Sequence, residues 1–80
     1  MKYIVARDAN IEGHRMRTHF CKNGSGKEMF VIGGENIAYR VSSPMDAGKL
    51  IDKVVSEKGW LRENMKILET DKDATMEMPL

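Results

Sequence analysis

Residues 43–59 constrain the fold most, because no other segment of the 80-residue chain carries the start, period and stop signals of a helix together. Ser43 is a preferred N-cap, Pro44 suits the first helical position, and Asp46 stands where a capping box has its acid. Ala47, Leu50, Ile51, Val54 and Val55 recur at the i, i+3, i+4 spacing that makes one apolar stripe, with Asp46, Lys49, Asp52, Lys53 and Glu57 on the other side. Gly59 supplies a left-handed C-cap, and Trp60 follows where it can fold back onto Val55. Gly48 disfavours a helix by about 1 kcal/mol relative to Ala, so its presence points to close packing on whatever the helix covers.

A lone amphipathic helix needs a second layer, and the first half of the chain offers a sheet. Residues 2–7 alternate as a first strand, which Asp8-Ala9-Asn10 and Glu12-Gly13 end as turn and loop residues. Residues 14–21 form a second strand, with His14, Met16, Thr18 and Phe20 on one face and Arg15, Arg17, His19 and Cys21 on the other. Met16 and Phe20 direct the first face to the core. Asn23-Gly24 is a tight-turn signal supplying positive φ angles, and a third strand follows over 27–32. After Gly33-Gly34-Glu35-Asn36, a fourth strand runs to Ser42, with Ile37, Tyr39 and Val41 on one face and Arg40 opposite.

Residues 62–64 read as a turn and 65–69 as a last strand; a short helix through Leu61, Met65 and Leu68 is the competing reading. The predicted fold is therefore α+β: an antiparallel sheet of four to five strands (β-meander, then helix, then strand) with one helix on one face and the other face wet. The last strand lies antiparallel beside the first or parallel beside the fourth. Met16, Met29, Met45 and Met65 are expected to fill the core, since methionine adapts to irregular gaps. One domain spans 1–70, and 71–80, acidic and without period, are expected to form a flexible tail.

Charge and cysteine content narrow the function. The net charge of +1 excludes a polycation held on nucleic acid by bulk charge and an acidic mimic of DNA. A single cysteine, Cys21, allows no internal disulfide, and no apolar run approaches a membrane span, so a cytoplasmic protein is expected. The string Gly24-Ser25-Gly26-Lys27 suggests a phosphate loop. However, Cys21 stands where such a loop needs glycine and Glu28 where it needs Ser or Thr. His19 and Cys21 make half a zinc site at most. No nucleophile and base are placed with a third orienting group, so the chain is read as a non-enzyme without cofactor or metal.

The basic residues are unevenly spread: residues 1–42 carry seven Lys and Arg against four acids, and residues 43–80 six against eight. The expected binding residues are Arg15, Arg17, His19, Lys22, Lys27 and Arg40, a set built on a basic hairpin at the open side of the sheet. Arginine suits bidentate contact with carboxylates and phosphates. The expected function is that of a small binding protein, monomer or homodimer, that regulates or inhibits a larger protein with an acidic patch through its sheet face or edge. Its size is that of viral or mobile-element accessory proteins. The alternative is a nucleic-acid-binding module using the 14–27 hairpin, against which stands the lack of aromatic residues beside the arginines.

Overall fold

The computed structural model describes residues 2–70. Four antiparallel strands form one sheet, β1 (Lys2–Ile11), β2 (His14–Lys22), β3 (Glu28–Ile32) and β4 (Met65–Thr70), in the order β3-β2-β1-β4. One helix, α1 (Pro44–Lys58), packs on one face, giving an α+β fold. The last strand lies antiparallel beside β1, with Val5 opposite Ile67. The tail expected over 71–80 lies outside the described residues.

The helix ends follow the residues that cap them. The Ser43 hydroxyl accepts from the Asp46 N–H at 3.1 Å, and Gly59 takes φ +69° while its N–H donates to the Val55 carbonyl. Ala47, Ile51 and Val54 are buried against Val5, Phe20 and Met65, and Leu50, Val55 and Trp60 pack at the margin of that core. Gly48 does not mark close packing, contrary to expectation. A Cβ there would meet nothing within 4 Å.

Strand β1 is longer than its composition suggests, because Asp8, Ala9 and Asn10 continue the ladder opposite Arg17, Met16 and Arg15. The turn is confined to Glu12 and Gly13, at φ 51° and 83°, the two positive angles that a type I′ hairpin requires. In the next hairpin the positive φ belongs to Gly26, not to Asn23 or Gly24. Asn23 acts through its side chain, whose Oδ1 accepts from the N–H groups of Ser25 and Lys27.

The fourth strand expected from Ile37 to Ser42 does not form. The chain instead curls through a 3-10 turn, Glu35–Ile37, whose carbonyl region Arg40 fastens by donating to the oxygens of Glu35 and Ala38 at 3.0 and 2.7 Å. It then enters a fork in the sheet. Strands β1 and β2 pair from Ile11–His14 down to Ala6–His19 and then diverge. Residues 39–41 occupy the gap: Tyr39 N–H donates to the Phe20 carbonyl, and Val41 exchanges both backbone bonds with Tyr3, each 2.9 Å long.

The sheet face away from the helix is consequently not wet throughout. The stretch from Gly33 to Arg40 crosses its β2–β3 part, with the Cys21 thiol 3.9 Å from the Gly34 carbonyl oxygen. Beneath this cover Ile4, Ala6, His19 and Cys21 are buried, as is Ala38 of the cover itself. Among the methionines expected in the core, only Met65 is buried. Met16, Met29 and Met45 are exposed: Met16 lies on β2 beyond the cover of the helix, Met29 shares the Cys21 face of the edge strand β3, and Met45 belongs to the outer side of α1.

Candidate binding surface

The uncovered part of the face opposite the helix carries the densest charge cluster among the described residues. Asp8 projects there from β1 and stands directly opposite Arg17 of β2. Its carboxylate lies 3.3 Å from Arg17 Nε, 3.7 Å from an Arg15 terminal nitrogen and 3.4 Å from Lys66 Nζ of β4. Arg15 also reaches Asn64 Oδ1 at 3.4 Å. Three positive charges therefore surround one negative charge. Partial desolvation pushes the Asp8 carboxyl up, but the hydrogen bond from Arg17 and the charge and hydrogen bond of Lys66 outweigh it and hold the group below its ordinary value. The Asp8 side chain is 13% exposed, whereas Arg15 is 67% exposed. The carboxylate thus anchors the cations from below and leaves their outer donors to solvent.

The six expected binding residues do not form one patch. Arg15 and Arg17 meet at the Asp8 cluster. His19 does not face solvent: it is buried, its Nδ1 has no hydrogen-bond partner, and burial together with Arg17 and Arg40 holds its pKa below the ordinary value against the opposing charge of Glu35. The physical reason is the covering 33–40 stretch, which the alternation of β2 does not reveal. Arg40 lies close enough to influence His19 and binds the carbonyls of the 3-10 turn. Lys22 belongs to the face of Phe20, at the opposite end of β2 from Arg15, with its Nζ 5.6 Å from the Tyr39 ring centroid. Lys27 stands in the adjacent turn, where its backbone N–H is held by Asn23.

Lys66 was not among the expected residues. Its only sequence signal is that β4 has odd and even faces, and its contribution depends on which strand β4 joins. Cys21 is a buried thiol: burial disfavours the thiolate and raises the pKa above its ordinary value, outweighing the opposing pull of the nearby Arg40 charge. No group of three or more His, Cys, Asp or Glu side chains among the described residues is placed to hold a metal ion. None of the described helices is long and apolar enough to cross a membrane. No family model, curated protein or solved structure matches the chain.

Proposed function

We propose that this chain is a non-enzymatic cytoplasmic binding protein that docks on an acidic patch of a larger protein and regulates or inhibits it. The supporting observation is the Asp8 cluster, in which Arg15, Arg17 and Lys66 are gathered on the uncovered part of the sheet face with an excess of positive charge. Fixing long cationic side chains on one carboxylate reduces the entropy they lose on meeting a partner. Their remaining donors suit carboxylates, and their charge accelerates the approach of an acidic surface. No tyrosine, phenylalanine or tryptophan stands beside them, which favours a protein surface over a base-stacking ligand.

The test is affinity capture from the native host with tagged wild type and tagged Arg15→Glu, each with and without nuclease. Arg17 is left in place because reversing both arginines would set two new carboxylates against Asp8. The reading expects one stoichiometric protein that survives nuclease treatment and is lost with the variant, whose circular dichroism spectrum matches wild type. Nuclease-sensitive recovery, or undiminished recovery by the folded variant, would overturn it.

A further inference from the structure

A second surface, on the helix side of the sheet, is built differently. The left-handed turn at Gly59 brings Trp60 down beside the end of α1, where its ring meets Phe30 edge-on at 5.2 Å. Arg7 lies against the face of the indole, its Cζ 3.7 Å from the ring centroid, and Lys58 approaches the same ring at 5.4 Å. Beyond Trp60 the helix no longer covers the sheet. A groove of about 520 Å³ opens there, floored by Ala9, Ile11, Phe30 and Ile32. Ile32 is 54% exposed and Met16, opposite Ala9, is 38% exposed.

Two further features indicate what fits. Neither Arg7 nor Lys58 is ion-paired among the described residues, and the buried Arg7 Nε has no hydrogen-bond partner. Glu28, the acid at the groove, is taken by Lys53 at 3.0 Å. The apolar floor therefore ends in two cations with no answering carboxylate. The second feature is the edge. Hydrogen-bonded pairs between β2 and β3 fall on Asn23–Lys27 and Arg17–Gly33, so the alternation of an antiparallel ladder turns the N–H and C=O groups of Glu28, Phe30 and Ile32 outward. Those three residues also point their side chains to the groove face, and no described residue pairs with this outer edge.

We propose that the open edge of β3 and the groove beside it take an extended segment of a partner protein, in which alternate residues are apolar and one carboxylate on the same face reaches Arg7 and Lys58. An added strand satisfies the outward backbone groups, and its alternate side chains fall on one face with the spacing of the Phe30 and Ile32 sites. This surface lies on the opposite side of the sheet from the Asp8 cluster, so the two stand or fall separately.

The probe is a displayed library of random peptides long enough to cross the β3 edge, panned against the full chain. A synthetic consensus peptide is then titrated against the fluorescence of Trp60, the chain's single tryptophan. Enriched peptides should carry a carboxylate in phase with two apolar residues, and the consensus should shift Trp60 emission. Arg7→Met should weaken binding about tenfold or more, the scale for losing a charge-assisted bond. If Arg7→Met fails to fold, Lys58→Glu and the exposed Ile32→Glu give the same reading, while Arg15→Glu should leave binding unchanged. No enrichment, enrichment without an acid, or indifference to Lys58→Glu and Ile32→Glu would overturn the proposal. It would also fall if deleting residues 71–80 alone shifted Trp60 emission and raised peptide affinity, which would make the occupant the chain's own end. Self-association abolished by Ile32→Glu would identify a second copy instead.

Discussion

Replacing Gly48 with alanine should stabilise the protein, although a glycine inside a helix facing a sheet is usually a warning against substitution. Gly48 lies well inside α1, so it carries the full glycine disadvantage of about 1 kcal/mol against alanine. It does not use a left-handed angle that alanine would resist. The site a methyl group would occupy holds no atom within 4 Å, so no clash offsets the gain. Part of the benefit comes from the unfolded chain, whose freedom alanine reduces by about 0.4–1 kcal/mol. The expected net gain is about 1 kcal/mol, which for a domain of this size raises Tm by roughly 4–8 °C. Urea denaturation followed by Trp60 fluorescence and helix circular dichroism should show a higher midpoint at an unchanged slope. An unchanged or lowered midpoint would mean that α1 sits closer to the sheet than described.

Three further outcomes are expected. Ile51→Ala should cost about 2–5 kcal/mol, the range for buried aliphatic truncations, and Leu50→Ala clearly less, because Ile51 is 4% exposed and Leu50 only borders the core; the reverse order in urea melts would rotate the helix face. His19 titrates below its ordinary value of 6.5 in the folded protein, so the unfolded chain binds more protons as pH falls; stability should be full above that value and decline below it until the folded pKa is passed. His19→Gln, checked by urea midpoints at neutral and mildly acidic pH, should flatten that decline. Gly34→Ala should destabilise by roughly 1–3 kcal/mol by overpacking, since its Cβ would stand 3.0 Å from the Val31 Cβ; a wild-type midpoint would show that the covering loop can shift freely.

Helix α1 and the sheet class were legible because their signals are local: a hydroxyl, a proline, a stripe and a glycine act within a turn of where they stand. The expected fourth strand shows the limit. Ile37, Tyr39 and Val41 do alternate, but alternation reports changing environments and not a ladder, and these residues sit in a fork with one bridge to Tyr3. Strand β1 outruns its local signal because Asp8, Ala9 and Asn10 are poor strand formers in isolation. Charge pairing of Asp8 with Arg17 and Lys66 works across strands and is invisible to a local scan. Half of the candidate site was therefore readable as Arg15 and Arg17, whereas Asp8 and Lys66 required the strand order. The burial of His19 escapes the sequence for a related reason. Parity assigns a face, but not what later crosses it.

The fork between β1 and β2 also bears on how the protein assembles. The first hairpin can close unaided from Glu12 and Gly13 only as far as Ala6 and His19. Beyond that point Phe20 and Tyr3 must wait for residues 39–41, which arrive after the β3 hairpin and the 3-10 turn. That closure spans a loop from Tyr3 to Val41 and is expected to follow hairpin formation, because long loops must be ordered before their contacts repay the entropy. The same wedge should open as one unit in the native state. Hydrogen exchange of the Tyr3, Tyr39 and Val41 amides should therefore share one opening free energy, below that of the β1–β2 ladder and separate from the fraying of the β3 edge.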